Sequence, residues 1–460
     1  MSEFTQFLSN GSQKIDDLSH RRKIDKAIST YDSKVDAMKH SQFRDWEQTR
    51  KNAQQIKNYV LAYLPILLEK FEKNITAQGV TVLWAETDEE ARQHFLAIAQ
   101  QHQARKIIKS KSMITEEISF NELCEKQGME VWESDLGELI VQLAGEKPYH
   151  IVTPAMHKST AEISQLFHDK LGSPLTDSAA ELTMVAREHL RQAYITADIG
   201  VTGANFLLAE EGAVVLTENE GNGRLTMSCP PVHVVIAGIE KIIPSISDLS
   251  LFLPLLATSG TGQQITCYNS IIRGPGNSSE VDGPRKMYVI LLDNGRSRIY
   301  SDPVFRDILR CIRCGACLNA CPVFRLVGGH TYHTTYQGPI GSVLTPHLRG
   351  WSQWYHLPYA SSLCAACSAV CPVHIELHQL LLENRWLAYR NAFTGRIWNL
   401  ALKGWAFFFT RRDRLDFISK LLRRYGLYFT KFIPAGKRKR IPDLPVKSFK
   451  ELWKEYEQQG

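Results

Sequence analysis

The sequence predicts an open, mostly parallel α/β sheet domain, followed by an α-helical domain rich in cysteine and a helical tail. From about residue 76 to 300, short β-branched runs alternate with helical segments, a pattern typical of a parallel sheet covered on both faces. Seven of the ten cysteines then fall in two short runs between 311 and 371, and the segment 391–460 is aromatic and basic. We therefore predict four parts, with boundaries at 1–75, 76–300, 301–390 and 391–460.

Composition and charge limit the class of protein. A net charge of +6 is mild for 460 residues and does not indicate nucleic acid as a partner. Clustered cysteines in a chain of this length indicate metal ligands rather than disulfides. The first five residues lack the pattern of a signal peptide, and no run reaches the roughly 18 apolar residues of a spanning helix. We expect a cytoplasmic protein, because thiolates survive in that reducing compartment.

The elements follow from local patterns. The polar, charge-rich segment 1–75 is expected to form helices on the outside of the next domain. Within that domain we predict helices Glu89–Gln101, capped by Asp88, and Ala179–Ala193. Glycine and proline make 273–284 a loop. The predicted strands are Val80–Trp84, Lys106–Ile108, Glu130–Glu133, His150–Val152, Gly200–Thr202, Ala213–Leu216, Val232–Ala237 and Met287–Leu292.

Two cysteine runs carry the strongest chemical signal. They are Cys311-x2-Cys314-x2-Cys317-x3-Cys321-Pro322 and Cys364-x2-Cys367-x3-Cys371-Pro372. This spacing brings thiolates within reach of cubic iron–sulfur clusters, and the final Cys-Pro donates to the neighbouring cube. A zinc site uses four ligands in two pairs, which seven cysteines with two Cys-Pro ends fit poorly. We predict two clusters of the 4Fe-4S type that exchange electrons, and a purely structural pair of clusters is the alternative.

The paired arrangement predicts which cysteines bind which cluster, because each run lends its last cysteine to the other cluster. The ligands predicted for the first cluster are Cys311, Cys314, Cys317 and Cys371. Those predicted for the second are Cys321, Cys364 and Cys367. The position three residues before Cys364 is Ser361, so the second cluster has only three thiolates. Three outcomes stay open: a three-iron cluster, a four-iron cluster with a non-cysteine ligand, or a four-iron cluster with an open iron.

The surroundings of the runs predict the type of domain. Around forty residues separate the two runs, far more than in compact bacterial ferredoxins, and helical patterns at Val304–Arg310 and Ile375–Arg390 flank them. We therefore predict a mostly α-helical, ferredoxin-type double-cluster domain at 301–390. Nearby histidines are left unassigned, because such residues are more often packing or surface groups; they are His330, His333, His374 and His378.

The α/β domain contains a candidate pocket. Polar, glycine-rich stretches follow several strands, and ligands of open α/β sheets bind beyond the carboxyl ends of the strands. Lys109, Lys111 and Arg224 could offset the charge of an anion, and Glu220 is a candidate nucleophile or base. The alternative is that these stretches are tight turns with solvated charges. No Walker A run occurs, and no Gly-x-Gly-x-x-Gly follows a strand.

Several runs together resemble one known family, and the resemblance covers nearly the whole chain. They are Lys109-Ser-Lys-Ser-Met, Glu133-Ser-Asp-Leu-Gly-Glu138, Gly203-Ala-Asn-Phe206, Asn219-Glu-Gly-Asn-Gly-Arg224, Asp293-Asn-Gly-Arg296 and Cys311-Ile-Arg-Cys-Gly-Ala-Cys-Leu-Asn319. These runs are similar to those of the lactate-utilisation iron–sulfur protein B family, in which the second cysteine set also has three members. The resemblance implies a LUD domain, similar to the sugar-isomerase and coenzyme A-transferase superfold, followed by a ferredoxin-type module. A glutamate of that superfold can serve coenzyme A transfer.

The resemblance also implies a function. Family members are thought to carry electrons in the oxidation of L-lactate to pyruvate, beside two partner proteins of the same operon. We therefore expect an electron-transfer subunit of an L-lactate oxidoreductase complex that is not catalytic alone, with an electron acceptor that the sequence does not identify. The alternatives are an α/β domain that itself binds and oxidises a hydroxy acid, and a cluster-based redox sensor.

The tail has two interpretations. The run Trp405-Ala-Phe-Phe-Phe409, followed by arginines and by the basic run Lys437–Arg440, could lie on an anionic membrane surface. The stretch is short for an interfacial anchor and is interrupted by Gly404 and Gly426. We therefore favour packed helices with a basic face, or a docking surface for a partner subunit, over peripheral membrane contact.

Overall fold

The computed structural model describes residues 2–277, 279–430 and 447–459. The chain forms two compact units, Met1–Leu387 and Ala388–Gly460. The first unit contains the sheets and all seven cysteines of the two runs. The second unit consists of helices in the part that the structure describes.

Four helices precede the first strand, as the polar N-terminal segment predicted. They are α1 (Glu3–Asp16), α2 (Leu18–Gln42), α3 (Trp46–Ala62) and α4 (Leu64–Thr76). Side-chain oxygens of Ser2, Asp17 and Asp45 accept backbone N–H bonds at the starts of the first three. Nearly all residues of α1 and α2 are exposed or partly exposed, as expected for helices packed on the outside, and a few apolar side chains of these four helices are buried. Ile24 and Ala53, for example, are fully buried in the same apolar core as the cysteine-rich domain.

Ten strands form two sheets. The strands are β1 (Thr81–Ala85), β2 (Lys106–Lys109), β3 (Glu130–Glu133), β4 (Ile199–Thr202), β5 (Phe206–Leu208), β6 (Ala213–Glu218), β7 (Val232–Gly238), β8 (Ile242–Ile243), β9 (Tyr268–Ile272) and β10 (Lys286–Leu292). The six-stranded sheet has the order β1-β10-β7-β4-β2-β3 and is parallel throughout. The smaller sheet, β8-β5-β6-β9, mixes parallel and antiparallel pairs. The predicted α/β class is confirmed.

Both faces of the parallel sheet are buried. Along β7, Val234 and Ile236 belong to one apolar core, whereas Val235 and Ala237 belong to another. This alternation is the two-residue period of a strand. The helices of this domain are α5 (Asp88–Gln101), α6 (Met113–Glu117), α7 (Phe120–Lys126), α8 (Leu136–Leu143), α9 (Thr160–Leu171), α10 (Ala179–Thr196), α11 (Asn222–Ser228), α12 (Leu249–Thr261) and α13 (Arg296–Ser301).

Two local predictions are corrected. The cap of α5 is Thr87, whose hydroxyl accepts the Glu90 N–H, and Asp88 is the first helical residue. His150–Val152 is not a strand. The His150 Nδ1 instead accepts the backbone N–H groups of Val152 and Thr153, which curls the chain into a turn.

The cysteine-rich domain is helical, as predicted, and no strand occurs among the described residues beyond β10. Its helices are α14 (Ala316–Asn319), α15 (Pro322–Val327), α16 (Gly338–Arg349), α17 (Trp351–Trp354), α18 (Ala366–Ala369) and α19 (Leu377–Arg390). The helix predicted at Val304–Arg310 is a shorter 3₁₀ helix, Arg306–Arg310. Pro322 starts α15, where its missing N–H costs nothing.

The tail helices are α20 (Arg396–Phe409), α21 (Arg412–Thr430) and α22 (Phe449–Gln459). The basic run Lys437–Arg440 lies outside the described residues. Across the described ranges, every helix is too short or too polar to cross a bilayer.

Candidate metal centre

The four cysteines predicted for the first cluster surround one small cavity. Its lining includes Cys311, Cys314, Cys317 and Cys371. Three of them are buried and Cys311 is partly exposed. Ile340 and Val373 contribute apolar walls. The structure thus brings together thiols that are up to sixty residues apart in the sequence.

The loop that carries the first of these cysteines turns sharply. Arg313 and Gly315 have positive φ angles of 62° and 80°. The Arg313 backbone N–H donates to Cys311 Sγ at 3.4 Å. A Cβ atom at Gly315 would lie 2.9 Å from Val152 Cγ2, so the close approach to the α/β domain also requires glycine.

The three cysteines predicted for the second cluster are also neighbours. Burial raises the pKa of Cys321, and the nearby Cys364 thiolate adds to the shift. Burial and the charge of Cys321 raise the pKa of Cys367 to about 11. Cys364 is exposed, and the Ala366 N–H and the Ser362 hydroxyl lower the pKa of its thiol. One edge of this set therefore faces solvent more openly than any cysteine of the first set.

Several backbone N–H groups point at the sulfurs. Phe324 N–H donates to Cys321 Sγ at 3.5 Å, and Ile375 N–H donates to Cys371 Sγ at 3.3 Å. Each donor follows the proline of a Cys-Pro dipeptide by two or three residues. Such bonds favour the thiolate over the thiol, which is the form that binds metal.

Buried cations lie near the first set. Arg50 Nε donates to the Cys371 carbonyl and Nη2 to the Ser368 carbonyl, both at 2.8 Å. Lys57 Nζ donates to the Glu240 carbonyl at 2.8 Å. Lys241 lines the adjoining cavity. Burial lowers the pKa of its ammonium, and the Cys311 thiolate partly opposes this shift. Arg50, Lys57 and Lys241 lie outside both cysteine runs, and only Arg313 lies inside one. The sequence analysis therefore missed these three cations.

A larger cavity, of about 410 Å³, adjoins the first set at the carboxyl ends of the parallel strands. It is lined by residues that follow β2, β3, β4 and β7, including Lys111, Asp135, Gly203 and Lys241. Cys314 lies in its wall. The cavity therefore connects the ligand-binding edge of the sheet with the cysteine-rich domain.

The predicted pocket residues divide into two groups. Lys111 and Glu220 line the cavity. Lys109 does not, because its ammonium is fully buried 2.6 Å from Glu133. Arg224 lies over the Tyr268 ring, 5.1 Å from its centroid, and is not part of the lining. The prediction that Lys109 and Arg224 offset an anionic ligand is therefore wrong.

Glu220 has an unusual environment for a carboxylate. Although the residue is exposed, the surrounding protein raises the pKa of its carboxyl to about 7, and the charge of Asp135 adds to the effect. Its Oε2 accepts the Leu136 N–H at 3.1 Å, at the start of α8. Glu220 can therefore take up or release a proton near neutral pH.

The four unassigned histidines lie outside the lining of the small cavity. Three have other hydrogen-bond partners: His330 pairs with the Lys147 carbonyl, His333 with Asn10 and His378 with Ser368. His374 lies 3.8 Å from Glu376.

Comparisons with known proteins identify the family. The family model described as "LUD domain" matches residues 68–292, and the "4Fe-4S dicluster domain" model matches 307–375. Lactate utilization protein B of Bacillus velezensis is 46% identical over 74% of this chain and 72% of its own. That of Oceanobacillus iheyensis is 43% identical over 81% and 80%. The chain belongs to the lactate utilization protein B family.

Two further proteins match this chain. The "uncharacterized electron transport protein YkgF" of Escherichia coli is 39% identical over 88% of this chain and 84% of its own. A crystal structure of a DUF162 family protein from Deinococcus radiodurans covers 50% of this chain at 17% identity, and its TM-score of 0.28 adds nothing to the argument.

The residues of this family member fit iron–sulfur clusters. Burial raises the pKa of Cys314 and Cys317 far above the usual range of a thiol, and that of Cys371 to about 11. A bound metal removes the thiol proton outright and satisfies the buried sulfur. With its 4Fe-4S dicluster domain, this lactate utilization protein B homologue is an iron–sulfur protein.

Proposed function

We propose that this protein relays electrons through two clusters during the oxidation of L-lactate to pyruvate, as a cytoplasmic subunit of a multi-protein complex. One observation carries the proposal: seven cysteines are gathered into two adjoining sets, one mostly buried and one with an exposed edge. A 4Fe-4S cluster accepts and donates one electron at a time. The names of the relatives supply the substrate.

The ligand sets follow the sequence prediction. Cys311, Cys314, Cys317 and Cys371 would hold the first cluster, and Cys321, Cys364 and Cys367 the second. The two sets adjoin. Helix α14 packs against α18, and the Cys367 thiolate adds to the raised pKa of Cys317. This proximity supports electron exchange between the sets.

The two sets suit different tasks. The first lies beside the large cavity, the buried Lys57 and the partly buried Lys241. The second presents Cys364 to solvent. An electron entering near the cavity would therefore leave through the exposed edge. Oxidation of lactate releases two electrons and two protons, so a relay of two one-electron sites fits the stoichiometry. Two partner proteins of the same operon would supply the dehydrogenation and the path to the acceptor.

Growth on lactate tests this function. The variants Cys311→Ala and Cys371→Ala are expected to abolish growth on L-lactate in a strain that lacks its own copy, while growth on glucose continues. The matched control is Cys229→Ala, an exposed cysteine outside both runs. Electron paramagnetic resonance and iron analysis of the anaerobically purified protein should show two clusters. Normal lactate growth of the Cys311 variant would contradict the proposal.

A second candidate is direct binding of a hydroxy acid by the α/β domain. Its support is the cavity, where Lys241 has no hydrogen-bond or ion-pair partner among the residues that the structure describes. Arg313 also lines the cavity, and its Nη1 is buried without a hydrogen-bond partner among them. Arg313 Nη2 pairs with Glu240 Oε1 at 3.3 Å, so Lys241 and the remaining Nη1 of Arg313 would bind a carboxylate beside Cys314.

Calorimetry distinguishes the two candidates. If the cavity binds the substrate, L-lactate should bind the cluster-loaded protein, and Lys241→Met should weaken binding at least tenfold, about 1.4 kcal/mol. Arg224→Gln is the matched control, because Arg224 lies outside the cavity. Absence of lactate binding to the intact protein would leave the electron relay alone.

A further inference from the structure

The two cysteine segments fold as a structural repeat. Their short helices, α14 and α18, have four residues each and start two residues after Cys314 and Cys364. The backbone bonds correspond one to one. Leu318 N–H donates to the Gly315 carbonyl as Ser368 N–H donates to that of Ala365, both at 3.0 Å. Cys314 and Cys364 therefore hold equivalent positions in the two segments, in structure as well as in sequence.

The backbone conformation repeats as well. In the first segment, positive φ angles occur immediately before and after the second cysteine, at Arg313 (62°) and Gly315 (80°). In the second segment they occur at Leu363 (55°) and Ala365 (64°). Leucine and alanine rarely adopt this conformation, so its recurrence shows that the same turn is imposed at both places.

The turn places one side chain at the remaining position of each segment. In the first, the Arg313 N–H donates to Cys311 Sγ at 3.4 Å. In the second, the Leu363 N–H donates to Ser361 Oγ at 3.1 Å. Both bonds run from a residue with positive φ to the side chain two residues earlier. The hydroxyl of Ser361 thus occupies the place that the thiol of Cys311 occupies in the first segment.

A hydrogen bond from Arg385 fixes the backbone of Ser361 in this place. Arg385, on α19, donates from Nη2 to the Ser361 carbonyl at 2.7 Å and from Nε to the Pro358 carbonyl at 2.9 Å. Its guanidinium also lies over the Tyr359 ring, 5.3 Å from the centroid. The backbone of Ser361 is therefore fixed by a side chain from a neighbouring helix, while its hydroxyl stays partly exposed.

We propose that Ser361 Oγ is the fourth protein ligand of the second cluster, beside Cys321, Cys364 and Cys367. The inference rests on the proposed two-cluster function and assigns the ligand that the cysteine count leaves open. On coordination the hydroxyl releases its proton to solvent, and the oxygen forms a bond to iron. The second cluster then has one oxygen ligand and three sulfur ligands, whereas the first has four sulfurs.

The test uses the full chain, purified without oxygen, and three variants. Ser361→Ala removes the ligand, Ser361→Cys replaces it by a thiol, and Ser352→Ala is the matched control that removes an exposed hydroxyl on α17. Iron and sulfide analysis, Mössbauer spectroscopy and electron paramagnetic resonance before and after mild oxidation are the readouts. The wild type and Ser352→Ala should hold about eight irons in two clusters.

Ser361→Ala should lose about one iron on mild oxidation and give the signal of a three-iron cluster, while the first cluster is unchanged. Ser361→Cys should keep about eight irons, and one iron site should acquire a sulfur-ligated Mössbauer spectrum. As a reciprocal variant, Cys311→Ser should give the first cluster an oxygen-ligated iron like that of the wild-type second cluster.

Three results would overturn the proposal. One is a Ser361→Ala protein with the iron content, spectra and oxidation behaviour of the wild type. Another is a Ser361→Cys protein whose Mössbauer spectrum matches the wild type, which decides the question even if the alanine variant fails to assemble. The last is a three-iron second cluster in the anaerobic wild type. A wild type without iron would instead contradict the two-cluster function itself.

Discussion

At the scale of single residues, the Lys109 ammonium is enclosed by carboxylates. Its Nζ lies 2.6 Å from Glu133 Oε1 and 3.4 Å from Glu116 Oε1, and Lys109 has no solvent-exposed surface. Burial lowers the pKa of Lys109, but these carboxylates outweigh it and raise the pKa above its usual value. The lysine therefore stays charged and neutralises a cluster of acids inside the domain.

Lys109→Met should consequently destabilise the protein. Removing one partner of a buried ion pair leaves uncompensated charge, which costs about 3–5 kcal/mol. The measurement is the free energy of unfolding in urea. Lys106→Met, at the exposed start of the same strand, is the control and should change stability by less than about 0.5 kcal/mol. Equal effects of the two substitutions would contradict this role of Lys109.

Glu220 makes stability depend on pH. Its pKa is raised from 4.5 to about 7 in the folded protein, because the surrounding protein partly desolvates the carboxyl and the charge of Asp135 adds to the effect. Between these values the folded protein retains a proton that the unfolded chain releases. The contribution of Glu220 to stability is therefore fully present below pH 4.5 and is lost as pH rises towards about 7.

Glu220→Gln should remove this part of the pH dependence, because glutamine does not titrate. Across the same pH range, the variant should gain about 1 kcal/mol relative to the wild type, a value reduced by solvent screening at this exposed residue. Unfolding curves at several pH values measure the difference. The control is Glu188→Gln, on the exposed side of α10, whose stability should vary with pH as that of the wild type does. The prediction would be refuted if the stability of Glu220→Gln varied with pH in parallel with that of the wild type.

At the scale of elements, the two cysteine turns differ in one useful respect. Gly315 and Ala365 occupy equivalent places with positive φ, but only Gly315 lies against Val152 of the α/β domain. Gly315→Ala should lower the stability by at least about 1–2 kcal/mol, because a Cβ is strained in this conformation and would lie 2.9 Å from Val152 Cγ2.

Ala365→Gly is the matched opposite change. It relieves the same conformational strain but increases the freedom of the unfolded chain, so its effect should stay within about 1 kcal/mol. Thermal unfolding followed by circular dichroism compares the two variants. If Ala365→Gly were as destabilising as Gly315→Ala, strain and contact at Gly315 would not explain the requirement for glycine.

Sequence patterns located most elements of the parallel sheet because its strands are long or apolar enough to be recognised. All six strands of that sheet overlap predicted segments, as the run Val232–Ala237 illustrates. The smaller sheet was harder to predict. β8 has two residues, β5 has three, and β9 is mostly exposed, so none shows the period of a half-buried strand.

At the scale of the whole molecule, the seven cysteines belong to the unit that ends at Leu387, and the last helix beside them, α19, ends at Arg390. A chain that ends at residue 391 should therefore retain its iron and its two cluster signals. Iron analysis and electron paramagnetic resonance of the shortened protein test this expectation. Loss of either cluster would show that the tail helices take part in holding the metal centre.

The candidate site was predictable where its chemistry is local in sequence. Cysteine spacing indicated both sets, and the strand-end loops indicated Lys111 and Glu220. The contributions of Arg50, Lys57 and Lys241 depend on contacts between distant segments, which spacing does not reveal. Lys109 shows the opposite error, because a charged residue at a strand end was buried among acids instead of facing the cavity.

The bonds from Arg50 to the carbonyls of Ser368 and Cys371 have a consequence for biosynthesis. They join residues 318 and 321 positions apart, so α3 cannot reach its final partners until just over four-fifths of the chain has been synthesised. At ordinary rates of translation that delay is on the order of half a minute. Nascent α3 must therefore wait for these two carbonyl partners, and a cluster held by Cys371, as proposed, could form only after synthesis has passed that residue.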